Sequence, residues 1–74
     1  MREFENQRVR MVFDDGLDTI ATLLSAAEDM DGSRHLIYDR VEWANDVREF
    51  ATAHDSCVYA EGESLVSIDA AEPR

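Results

Sequence analysis

Six consecutive residues, Arg8-Val9-Arg10-Met11-Val12-Phe13, constrain this chain more than any others. Val9, Met11 and Phe13 fall on one side of an extended segment and Arg8 and Arg10 on the other, the period-2 pattern of a half-buried strand. Such a strand cannot stand alone. Its backbone needs hydrogen-bonding neighbours, and its apolar side needs a second layer. The chain must therefore build a sheet with one covered face and one face that carries arginine. It has 74 residues to do so, a single small domain, 1–74, in which folding buries only about 60% of the unfolded surface. The one cysteine, Cys57, excludes an internal disulfide, which fits a reducing cytoplasm.

Beyond the first strand, Leu17, Ile20, Ala21, Leu24 and Ala27 recur at helical spacing, with Leu23 and Met30 widening the stripe. This predicts an amphipathic helix of about four turns, capped by Asp14 or Asp15 and stopped at Gly32. His35-Leu36-Ile37-Tyr38 reads as a strand covered on both faces. Asp39 then caps a second predicted helix, with Glu42 completing a capping box and Tyr38 and Trp43 forming a hydrophobic staple. Its buried face is expected to be Trp43, Ala44, Val47, Phe50 and Ala51, ending near His54. Residues 57–60 and 63–68, on either side of Gly62, read as a β-hairpin. Residues 1–7 and 69–74 are expected to be flexible. The order β-α-β-α-β-β implies an α/β (α+β) two-layer sandwich, with two helices packed on one face of a four-stranded mixed sheet. Arg8 and Arg10 then lie on the open face.

Charge narrows the function. Seventeen acids stand against seven basic residues, all arginine, for a net charge of −10. A field of this sign disfavours direct contact with nucleic acid or an anionic membrane and attracts a basic partner. The N-terminus has no apolar core of a signal peptide, and no apolar run reaches bilayer length, so a cytoplasmic protein without a membrane segment is expected. The acids are not evenly spread. Six of them, Asp14, Asp15, Asp18, Glu28, Asp29 and Asp31, fall in one stretch without a cation. On the predicted first helix, Asp18 would suit the positive end of the dipole, while Glu28 and Asp29 would oppose the negative end. Mutually repelling carboxylates left without pairing mark a surface kept for solubility in high salt or for a basic partner.

Constellations that would imply bond-making chemistry are incomplete. Asp14, Asp15 and Asp18 lack the spaced D-x-D-x-D-G pattern of a calcium loop, and capping accounts for them more simply. His54-Asp55-Ser56-Cys57 has the form H-x-x-C, and even with His35 it supplies three zinc ligands where four in paired spacings are usual. Cys57 has no basic neighbour in sequence to lower its thiol pKa. No cofactor, metal or catalytic residue is therefore assigned. Trp43 is a candidate anchor at the rim of the helix layer.

The stretch from Leu36 to Ile68, and more loosely back to Val9, resembles the TusA-like sulfur-carrier family. That resemblance implies the order strand-helix-strand-helix-strand-strand. In the family the first helix opens with a Gly-Leu-x-Cys-Pro motif whose cysteine carries the persulfide. Gly16-Leu17-Asp18 matches the opening, but Thr19 and Ile20 stand where cysteine and proline belong. The resemblance thus implies the fold and argues against sulfur transfer. The expectation is a small, acidic, non-enzymatic protein that binds a basic protein surface, such as that of a nucleic-acid-binding protein. It would act as a nucleic-acid-mimicking inhibitor or antitoxin-like regulator, monomeric or homodimeric. The binding residues would be Asp14, Asp15, Asp18, Glu28, Asp29, Asp31 and Trp43. The alternatives are a sulfur carrier or redox protein using Cys57, and a salt-adapted housekeeping domain.

Overall fold

Each strand in the computed structural model, which describes residues 2–71, runs antiparallel to its neighbours. Five strands, β1 (Gln7–Phe13), β2 (Asp18–Glu28), β3 (Arg34–Ala44), β4 (Val58–Glu61) and β5 (Leu65–Ala70), form one sheet in the order β4-β3-β2-β1-β5. Among the described residues one α-helix, α1 (Val47–Asp55), joins β3 to β4 and packs on β3. Among the described residues no helix is long and apolar enough to cross a membrane.

This overturns the expected four-stranded mixed sheet with two helices in the order β-α-β-α-β-β. The segment expected to form the first helix is β2. Thr19, Ala21 and Leu23 are buried on one face, and a bulge at Leu24 passes the inward position to Ala26. The helical spacing does not mark the core: of its five residues only Ala21 is buried, Leu17, Ile20 and Leu24 are half-buried and Ala27 is exposed. Both flanking turns carry Asp-Gly, a strong hairpin signal. Gly16 and Gly32 sit at φ 97° and 89°, where a side chain is disfavoured. The two loops share one design. Gly16 N–H donates to Phe13 O at 3.1 Å and Phe13 N–H to Leu17 O at 2.8 Å; likewise Gly32 N–H donates to Asp29 O at 3.0 Å and Asp29 N–H to Ser33 O at 2.8 Å.

The second predicted helix start is also corrected. Asp39, Glu42 and Trp43 belong to β3, which pairs with β2 as far as Ala44. The helix begins one motif later. Asp46 accepts hydrogen bonds from the backbone N–H of Arg48 at 2.9 Å and of Glu49 at 3.3 Å. The same Asp-x-x-Glu pattern stands at 39–42 and again at 46–49. The long β2 needs an equally long partner, so the first copy is drawn into the sheet. Within α1, Ala53 is buried and Phe50 is packed on the core, whereas Val47 is 82% exposed. The expected hairpin of residues 57–60 with 63–68 is absent too. β4 pairs with β3 and β5 with β1, at opposite edges of the sheet. Asp69 and Ala70, placed in the expected tail, close β5, and 72–74 lie outside the described residues.

That last connection dictates the shape. Glu61 pairs with the start of β3 and Leu65 with the end of β1. Laid flat, such a sheet would hold them more than about 30 Å apart, counting strand spacing and rise, whereas four peptide links reach at most about 14 Å. The sheet must curl around its own inner face. The bulges between Ile20 and Thr22, between Leu23 and Ser25 and between Val12 and Phe13 supply the extra twist. Val9, Met11, Leu23, Leu36 and Tyr38 are fully buried inside the curl, which explains how one short helix suffices as cover. Gly62 lies in the turn that crosses back, and a side chain there would overlap Arg34.

Candidate functional site

The seven candidate residues do not form one helical face. They divide between the two ends of β2, whose eleven residues span roughly 35 Å at strand rise. The whole molecule measures 34 × 24 × 21 Å. Asp14, Asp15, Asp18 and Trp43 gather at one end. Glu28, Asp29 and Asp31 gather at the other.

At the first end, Asp14 and Asp15 occupy the exposed β1–β2 loop. Asp15 accepts a hydrogen bond from Leu17 N–H at 3.0 Å, so it caps a turn where a helix cap was expected. No side-chain partner holds Asp14 among the described residues. Asp18 sits on the outer face of the sheet, gripped by Arg10 through Nε at 3.0 Å and Nη2 at 2.6 Å. That two-point hydrogen bond holds its carboxyl below the usual carboxylate range. Register places Trp43 opposite Ile20 and Ile20 opposite Arg10, so the three share a row on the outer face. Trp43 is 46% exposed.

Asn45 makes this end rigid. Its Nδ2 donates to Gly16 O at 2.7 Å, its Oδ1 accepts from Asp18 N–H at 2.9 Å, and its own N–H donates to Asp18 O at 3.0 Å. The β1–β2 loop is thereby fastened to the corner between β3 and α1. Between them lies an open depression of about 210 Å³ lined by Asp15, Gly16, Leu17, Asn45 and Asp46. Asp46, held below the usual carboxylate range by the α1 N–H groups it caps, adds a further negative charge there.

The second end contains an arrangement that sequence reasoning missed. His35 bridges Asp29, whose Oδ2 lies 2.6 Å from its Nε2, and the Tyr59 hydroxyl, which lies against its Nδ1. A proton on Nε2 satisfies both contacts, with Nε2–H donating to Asp29 and Nδ1 accepting from Tyr59. This carboxylate–imidazole–phenol chain ties the β2–β3 loop to β4. Its only trace in the sequence is the pairing of His35 beside Ile37 with Tyr59, which requires the strand register to be known. Asp31 plays the part that Asp15 plays in the other loop, accepting Ser33 N–H at 2.9 Å. The Ser33 hydroxyl also donates to it, and together these bonds hold its carboxyl low. Glu28 is exposed at the end of β2.

The histidines and Cys57 are not brought together. His54 stacks on Phe50 within α1, His35 is engaged as described, and Cys57 is exposed between α1 and β4. Among the described residues no group of three or more His, Cys, Asp or Glu is placed to hold a metal ion. The helix on which the sulfur-carrier motif would open is absent, since Gly16-Leu17-Asp18 forms a turn into β2. No family model, no curated protein and no solved structure matches this chain.

Proposed function

We propose that this protein is a non-enzymatic binding module that docks a basic surface of a protein partner through the end of the sheet carrying Asp14, Asp15 and Trp43. The observation that carries this reading is the exposure of Trp43 and Val47 beside a rigid, carboxylate-rich loop and corner. Tryptophan in such a setting supplies apolar contact area, and surrounding charges set orientation and partner choice. Among the described residues no arginine pairs with Asp14 or Asp15, which leaves both open to a partner's cations. Asp18 and Asp46, already occupied by Arg10 and by the helix start, shape the surface more than they bind. Glu28, Asp29 and Asp31 lie too far away to share this footprint and act through the long-range field, steering a cationic partner toward the molecule. A nucleic-acid-binding protein is the natural kind of partner, since its basic groove recognises anions at fixed spacing.

The test is capture of the partner from host lysate at low salt, followed by titration of the isolated pair. Binding is expected to weaken at least tenfold between 0.05 and 0.5 M monovalent salt, each figure an order-of-magnitude choice around the screening range. Asp14→Asn with Asp15→Asn should weaken it and flatten the salt dependence, since asparagine keeps the turn bond and removes the charge. Trp43→Ala should cost about tenfold or more at any salt. Binding indifferent to both salt and these substitutions would sink the reading.

A further inference from the structure

Among the described residues the outer side of β5 is an unpaired sheet edge, and its sequence, Leu-Val-Ser-Ile-Asp-Ala, is protected only near its start, where the register shift leaves Val66 as an extra residue between Leu65 and Ser67. It contains no proline, no lysine and no inward-pointing charge. Ala71 N–H donates to Arg8 O at 2.9 Å. With Arg10 opposite Asp69 and Val12 opposite Ser67, the alternation of an antiparallel ladder directs the backbone of Ser67 and Asp69 toward β1. It directs the N–H and C=O of Ile68 and Ala70 outward. Val66 is 65% exposed at the start of the same edge. The opposite edge, β4, offers four residues to β5's six.

We propose that β5 pairs with β5 of a second copy of this chain, antiparallel, about a twofold axis at Ile68. Outward-facing residues must meet outward-facing residues, so only alternate registers are allowed. Centring on Asp69 would set two carboxylates face to face, which is unfavourable. Centring on Ile68 sets Ile68 against Ile68 and each Asp69 against the Ser67 hydroxyl of the other copy, with Ala70 beside the bulged residue Val66. The Ser67 hydroxyl donates to that carboxylate. The two aspartates are then diagonal neighbours roughly 8 Å apart, about one screening length in physiological salt. Arg10 stands beside each of them as a cross-strand neighbour. The edge is thus complementary to itself, and a ten-stranded sheet results. A second copy also carries the same net charge of −10, so salt strengthens this contact, opposite to its effect on the proposed docking at the Asp14 end.

Sedimentation equilibrium of the full chain from micromolar to millimolar concentration, at low and high salt, tests the pairing. The expected result is a monomer–dimer equilibrium that shifts several-fold toward dimer as salt rises. Ala70→Pro removes an outward N–H without touching the β1 ladder, and Ser67→Asp opposes two carboxylates. Each should shift the equilibrium toward monomer by about tenfold or more, with the circular dichroism spectrum retained. Should either variant fail to fold, amide exchange in the unaltered protein decides: Ile68 and Ala70 should exchange more slowly as concentration rises. A monomer at millimolar concentration, a dimer that survives both substitutions, or amides indifferent to concentration would each overturn the proposal. None of these outcomes bears on the docking at Asp14 and Asp15, which uses other residues and responds to salt with the opposite sign.

Discussion

Tyr38 joins the sheet to the helix. It is fully buried, and its hydroxyl donates to Glu49 of α1, fastening the helix to the sheet. Burial, reinforced by the Glu49 charge, raises its phenol pKa well above the ordinary value, about 10 in an unfolded chain. The folded protein therefore keeps Tyr38 neutral where the unfolded chain ionises. Its contribution to stability is complete below about pH 10 and declines as pH rises beyond it. Asp18, Asp31 and Asp46 are shifted the other way, by hydrogen bonds from Arg10, Ser33 and the α1 backbone respectively. Their contributions are present above the ordinary carboxylate range, about pH 4, and are lost as pH falls below it. Urea midpoints should thus be flat through neutrality and fall at both extremes. Tyr38→Phe should cost about 1–2 kcal/mol at pH 7, because Glu49 loses its donor, and should blunt the alkaline fall. An unchanged alkaline limb in that variant would show that Tyr38 is not its origin.

At the scale of elements, the Asp-x-x-Glu segments at 39–42 and 46–49 offer a direct comparison. Asp46 caps α1, and its replacement by alanine should lower stability by about 1 kcal/mol. Asp39 stands in the middle of β3, where Oδ1 is inaccessible to solvent and has no hydrogen-bond partner among the described residues. Asp39→Thr should raise stability by about 1 kcal/mol, since it removes an unsatisfied acceptor and favours the strand. Equilibrium unfolding of the two variants checks both signs. If Asp39→Thr lowered stability and helix content as much as Asp46→Ala, the helix boundary would be misplaced. The same scale explains how far these elements were legible beforehand. β1 was readable because nothing interrupts its alternation. β2 was not, because the apolar residues Leu17, Ile20, Ala21, Leu24 and Ala27 satisfy a helical template although only Ala21 among them is buried. Better indicators were present in Asp15-Gly16, Asp31-Gly32 and the β-branched Thr19, Ile20 and Thr22. In the sequence Asp15 reads as a helix cap and both Asp15 and Asp31 as members of a negative face, whereas their shared turn role needs the loop geometry.

For the whole molecule, charge and curl act together. Even one carboxylate for every arginine would leave ten unmatched, and the curled sheet packs them into an object 34 Å long. Their repulsion is greatest in the compact state, so screening should stabilise it. The urea midpoint is expected to rise as monovalent salt increases from about 0.02 to 0.5 M, a range that shortens the screening length several-fold. A midpoint that stays level would mean the carboxylates are spaced widely enough to ignore one another. The sequence by itself determined the negative field, the arginine-bearing outer side of β1 and its inward Val9, Met11 and Phe13, since these follow from composition and from a period of two. Tertiary structure alone decided that β2 is a strand, that β4 and β5 lie at opposite edges, that Asp14 and Asp31 are at opposite ends, and that His35 meets Asp29 and Tyr59. Each of these depends on which segments pair and in what register. Pairing is settled by the competition of all strands for one core, which no local pattern of residues can report.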